Sequence, residues 1–103
     1  MARVVQRPAA RRDFTIHCAY LAEKAGLHTA KRFRDAVEAT YAEPAHMPEI
    51  GVPGKIKQGR YAGVRLWHVR DFENYLIAYV PRQGGVGIER LIHAKQDYLR
   101  VLK

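Results

Sequence analysis

A chain of 103 residues has room for one domain and one core, and at this size folding buries about two-thirds of the unfolded surface. Eighteen Lys and Arg against ten Asp and Glu give a net charge of +8, which favours a polyanionic partner such as nucleic acid or an acidic protein. The single cysteine, Cys18, excludes an internal disulfide, and no apolar run approaches the ~20 residues of a membrane span. With no signal-like apolar run at the N-terminus, the expectation is a soluble, cytoplasmic protein.

Arg3 to Arg7 carries two valines and reads as a short edge strand, ended by Pro8, which suits the first turn of a helix. From Ala9 to Ala25, residues Ala10, Phe14, His17, Cys18 and Leu21 fall on one helical face. Gly26 is a natural C-cap. A second helix is predicted over Thr29 to Glu43, with Ala30, Phe33, Val37, Thr40 and Tyr41 inward and Pro44 as its stop. Only Gly26, Leu27 and His28 separate the two, so they form an antiparallel hairpin. Pro44 to Gly59 holds three prolines and three glycines and reads as a long loop, basic near its end at Lys55, Lys57 and Arg60.

Three strands follow, GVRLWHV, YLIAYV and VGIERLIH, separated by the turns RDFEN and PRQGG. Apolar residues at every second position predict an antiparallel meander. Strict alternation puts Val64, Leu66, Leu76, Ala78, Val80, Val86, Ile88 and Ile92 on one face. The other face takes Arg65, Trp67, Val69, Tyr75, Ile77, Tyr79, Leu91 and His93. Both faces need covering, one of them by the helices. A short helix, Ala94 to Leu102, closes the chain. The order β, α, α, loop, β, β, β, α gives an α+β domain spanning residues 1–103, a helical hairpin on a small, mainly antiparallel sheet.

With that order in place, the wording of the blocks resembles the ParE/RelE superfamily of toxins from bacterial type II toxin–antitoxin systems. The resemblance rests on PAARRDF after the first strand, YLAEKAG closing the first helix and AKRF opening the second. It continues through a loop with Pro48 and Gly51, then VRLWHVRDFENYLIAYV and RLIHAKQDYLRVL. It covers nearly the whole chain. One branch, RelE-like, implies metal-free cleavage of mRNA on the ribosome. The other, ParE-like, implies poisoning of DNA gyrase by protein–protein binding. Both imply neutralisation by a cognate antitoxin, for ParE types usually a ribbon-helix-helix (ParD-like) protein. The HAKQD block at His93–Asp97 leans towards ParE, and the chain departs from the family at Gln96, where Arg is commoner. A degenerate member that binds its antitoxin without toxicity is a third possibility.

Metal-free RNA cleavage needs a base for the ribose 2′-hydroxyl, cations for the phosphorane and an acid for the leaving oxygen. The candidates are Lys55, Lys57, Arg65, His93, Lys95 and Tyr98. The resemblance places Arg65 where RelE-like enzymes use an arginine at the phosphate, and His93 titrates near neutrality. Structural roles compete for each residue. Arg65 can pair with Asp71, Glu73 or Asp97; His93 can cap the turn before the last helix; Tyr98, at helical spacing from Leu102, suits a core. Trp67, Tyr75 and Tyr79 share the Arg65 face and suit either base stacking or an antitoxin helix, with docking favoured. Partner contacts are accordingly expected at Arg65, Trp67, Tyr75, Tyr79, Lys95 and Gln96, with an acidic antitoxin segment complementing +8. No cofactor or metal is expected: the five histidines lack ligand spacing, and GGVG at 84–87 is a hairpin turn. His17 reads as a core or interface residue and Cys18 as a small hydrophobe.

Overall fold

The computed structural model describes residues 2–103. Eight elements follow one another: β1 (Arg3–Gln6), α1 (Pro8–Ala25), α2 (Leu27–His46), β2 (Val52–Pro53), β3 (Arg65–Val69), β4 (Phe72–Arg82), β5 (Gly85–His93) and α3 (Tyr98–Val101). The strands form one sheet in the order β1-β5-β4-β3-β2. β1 runs parallel to β5, and every other pairing is antiparallel. This is the α+β arrangement expected from the sequence: a helical hairpin on a small, mainly antiparallel sheet with a short C-terminal helix.

The hairpin is built as its periodicity dictates. Pro8 occupies the first turn of α1, where its missing N–H costs nothing. Phe33, Val37, Thr40 and Tyr41 of α2 are all buried. The connector is shorter than expected, a single Gly26 at φ 96°, which suits a residue without Cβ. Its N–H closes α1 on the Ala22 carbonyl and its own carbonyl accepts the Ala30 N–H. Pro44 does not stop α2, which runs on to His46. Pro44 and Ala45 are buried against the sheet, and the Met47 N–H still reaches the Glu43 carbonyl. Burial near the helix end outweighs the one bond that proline forfeits.

The sheet breaks register beside the β3–β4 turn, at His68/Val69, and again between β4 and β5. Ala78 pairs with Arg90 but Tyr79 pairs with Ile88, leaving Glu89 as an extra residue in a bulge. That extra residue reverses the pleat. Val86 and Ile88, predicted to face with Ile92, instead join Ile77, Tyr79 and Leu91 beneath the helices. The opposite face carries a second core of Tyr61, Val64, Ala78, Ile92 and Leu102, closed by Ile56 of the loop and by Tyr98 and Val101 of α3. α3 is a single turn rather than the helix from Ala94 that was expected, because Ala94 to Gln96 form a turn and Asp97 caps the helix through the Leu99 N–H at 3.1 Å.

Between the layers, Asp13 of α1 takes the Arg90 guanidinium on both oxygens, at 2.6 and 2.9 Å, and accepts the Leu91 N–H at 3.0 Å. The bidentate fork ties α1 to β5 beside the bulge. The Asp13 hydrogen bond holds the Arg90 guanidinium well above its usual range, so it stays charged throughout.

Candidate partner-binding groove

The residues suited to RNA cleavage are dispersed. Arg65, half-buried on β3, donates from Nε to the Gly51 carbonyl at 2.9 Å and from Nη2 to the Glu49 carbonyl at 3.1 Å. It is a clamp on the loop before β2 and pairs with none of Asp71, Glu73 or Asp97. Lys55 and Lys57 are exposed on the loop after β2, Lys55 with a positive φ of 62°. Tyr98 packs into the core on the far side of the sheet from His93. Arg65 pairs across β4 with Tyr79, and His93 pairs with Tyr75 from the other flank. Two strand spacings across and four residues along separate Arg65 and His93 by roughly 16 Å at Cα. One scissile phosphate cannot be reached by all of them.

His93 behaves as a turn residue. Its Nδ1 accepts the Lys95 N–H at 3.0 Å, and its own N–H donates to the Gln96 side-chain oxygen at 2.8 Å. An acceptor Nδ1 fixes the neutral tautomer with the proton on Nε2. Burial lowers the His93 pKa, helped by nearby His17 and Lys95. Its ring stands edge-on to Tyr75 at 4.7 Å, and His17 meets Tyr75 at 5.1 Å while its Nε2 donates to the Leu91 carbonyl.

The aromatic face proposed for docking is largely the helix-side core. Tyr79 is fully buried; its hydroxyl donates to the Pro48 carbonyl at 2.7 Å and accepts the Gly51 N–H at 2.8 Å. No surface of it is left for a partner. Trp67 is half-buried at the margin of that core, its indole N–H enclosed without an acceptor among the described residues. α1 and α2 cover the middle of this face, so Tyr79 contributes to the core while Arg65 and Trp67 stay half-exposed at its margin.

What remains open is the margin where α1 meets the end of β5. A hollow of about 220 Å³ is lined by Ile16, His17, Tyr20, Tyr75, His93, Lys95 and Gln96. It brings together three of the partner-contact candidates, Tyr75, Lys95 and Gln96. Ile16 and Tyr20, one turn apart on α1, are 63% and 52% exposed, which makes this an apolar site awaiting cover. A second hollow of about 330 Å³ shares Tyr20, Tyr75 and His93 and continues past Asp71, Glu73 and Asn74 in and beside the β3–β4 turn. Sequence reasoning missed Ile16 and Tyr20. Their signal was there: two large apolar residues at i and i+4 that lie off the helix's inward face.

Residues 4–98 match the family model described as "ParE toxin of type II toxin-antitoxin system, parDE". The chain belongs to the ParE toxin family. Among solved structures, a chain from the "Chromosomal ParDE TA system from P. aeruginosa" superposes with a TM-score of 0.72 at 12% identity, over 90% of this chain and 96% of that one. At that identity the likeness speaks for the ParE fold. A search of curated proteins returned no match. The toxin's described residues hold no cluster of three metal-ligating side chains, and none of its helices is long and apolar enough to cross a membrane.

Proposed function

We propose that this ParE-family toxin acts by binding rather than by chemistry: it engages DNA gyrase and traps the enzyme's cleaved-DNA complex. A cognate antitoxin of the ribbon-helix-helix class holds it inactive in the cytoplasm. The observation that carries this reading is the dispersal of the nuclease candidates. Arg65 spends its donors on two loop carbonyls, His93 spends Nδ1 on the Lys95 N–H, and Tyr98 lies on the opposite face of the sheet. The basic surface supports the same reading. Arg11, Arg12, Lys31, Arg32 and Arg34 on the outer helices and Lys55, Lys57 and Arg60 on the loop are all exposed. Such a surface favours approach to a target that carries DNA.

The test is a supercoiling and cleavage assay with toxin purified away from antitoxin. Supercoiling should fall, and linear, protein-linked DNA should accumulate. Untouched gyrase, together with codon-positioned mRNA cuts on translating ribosomes that vanish in Arg65→Ala, would replace this reading with the nuclease one.

A further inference from the structure

The two hollows on either side of Tyr20, Tyr75 and His93 form one groove, and its ends differ in charge. Lys95 and the Gln96 amide stand at the β5 end. Asp71 and Glu73 stand at the β3–β4 turn. All four side chains are on exposed residues, whereas the groove between them is apolar and aromatic. The chain's excess positive charge is not gathered here: α1 and α2 together are nearly balanced, Lys55, Lys57 and Arg60 follow β2 without an acidic neighbour, and the remainder is spread over the N-terminal arginines, the strands and the C-terminal turn. A uniformly acidic segment would meet Lys95 at one end and repulsion from two carboxylates at the other.

We infer that this groove seats a bipolar segment of the antitoxin: one large aliphatic side chain between Ile16 and Tyr20, a carboxylate towards Lys95, and a cation towards Asp71 and Glu73. This rests on the reading of the chain as a toxin neutralised by a protein antitoxin. The apolar anchor supplies the affinity, since its seat is flanked by exposed Ile16 and Tyr20 and floored by Tyr75. The two ends supply direction. A segment inserted backwards places like charges together at both ends, which is how the groove selects one polarity of partner. A nucleotide fits less well. The hollow offers one cation for phosphate, and its two acidic residues repel the backbone that would follow.

Blocked tripeptides test this directly, with the amide spectrum of isotope-labelled toxin as the readout. Acetyl-Glu-Leu-Lys-amide and its reverse, acetyl-Lys-Leu-Glu-amide, are titrated separately, because the groove's charge order does not fix the chain direction. One of the two should shift the amides of Ile16, Tyr20, Tyr75, His93 and Lys95. Replacing its leucine by alanine should weaken binding roughly tenfold, the effect of an aliphatic side chain leaving its seat. Acetyl-Glu-Leu-Glu-amide should bind more weakly than the better bipolar peptide. Lys95→Glu leaves carboxylates at both ends. It should abolish the difference between the two bipolar peptides, weaken the all-acidic one further and make acetyl-Lys-Leu-Lys-amide the best binder. Lys95→Arg should preserve the wild-type order; the residue is exposed, so both variants fold. The proposal is overturned if neither bipolar peptide moves these amides, if the all-acidic peptide binds as well, or if adenosine monophosphate moves them instead. A second copy of the toxin as occupant would appear as concentration-dependent shifts of the same amides without any peptide, and would equally overturn it. Failure here leaves the gyrase reading standing, whereas a toxin that binds the bipolar peptide and ignores gyrase overturns the target alone.

Discussion

Single atoms decide what His93 does. An imidazole beside a strand end reads in sequence as either a proton shuttle or a cap, and the two roles need opposite ring states. A shuttle must exchange its proton near neutrality, whereas a ring whose Nδ1 accepts the Lys95 N–H must stay neutral. Burial against Tyr75, with His17 and Lys95 nearby, lowers its pKa and favours the cap. The sign of the pH dependence follows. Unfolded, the ring takes up a proton below about pH 6.5; folded, it declines that proton until a lower pH. His93 therefore contributes stability that is present above pH 6.5 and is lost as the pH falls through its folded pKa. Urea midpoints at pH 7.5 and 5.5 should separate further in the wild type than in His93→Gln, which keeps a side-chain acceptor but does not titrate. The groups facing the ring (His17 of α1, Tyr75 of β4 and Lys95 of the turn) are common to both proteins and cancel. Equal separations would mean that His93 is protonated with the same ease folded and unfolded. Tyr79 shows the limit of sequence reading at this scale. An aromatic on an alternating strand is equally consistent with a stacking platform and with the core. Only the two bonds of its hydroxyl, to Pro48 and Gly51, assign it to the loop.

Elements were legible where one period governs them and illegible where tertiary packing overrides it. The inward face of α2 was readable from spacing, and so was the order of the meander strands, because burial against one layer imposes 3.6- and 2-residue periods. The bulge at Glu89 was not. One inserted residue shifts Val86 and Ile88 to the other face, and no local composition marks it. The helix through Pro44 was missed for a similar reason: the rule that proline stops helices weighs a lost bond but not the burial of Pro44 itself. Asp13 was missed because an acidic residue on a helix normally faces water, and its partner Arg90 is 77 residues away. The strand that the hairpin leaves from is an exposed edge and offers a test. β1 pairs only with β5, and its Arg3 lies opposite Gly85. A Cβ on Gly85 would run into the Arg3 backbone, so Gly85→Ala must push β1 off the sheet edge. Its cost should be about 1–3 kcal/mol, the range of an overpacked site with backbone shift. Exchange of the Arg7 amide, bonded to the Ile88 carbonyl, should quicken more than that of amides in the β4–β5 ladder. Uniform quickening would show instead that β1 is part of a single cooperative unit with the core.

At the scale of the whole molecule, the distribution of charge separates two kinds of surface. The apolar groove between Lys95 and Asp71 is nearly balanced in charge, whereas the loop after β2 carries Lys55, Lys57 and Arg60 with no acidic residue, a local part of the +8. Binding dominated by the first surface depends on desolvation and is weakly sensitive to ionic strength. Binding through the second releases counterions from DNA phosphates and falls steeply with salt. If about four phosphates are engaged while gyrase holds its DNA, raising salt from roughly 50 to 200 mM should weaken the toxin's hold on the gyrase–DNA complex by about a hundredfold. Affinity for a bipolar peptide in the groove should change by less than about threefold over the same range, because one exposed ion pair at each end is all that salt can screen. The two titrations share one protein and one buffer series, so the comparison removes any effect of salt on folding. A hold on gyrase–DNA that ignores salt would place the basic loop away from the nucleic acid and leave its charge to serve solubility alone. A steep fall would instead make Lys55, Lys57 and Arg60 the first residues to neutralise one at a time. Each side chain that had paired with a phosphate should then lower the salt slope by about one when its charge is removed.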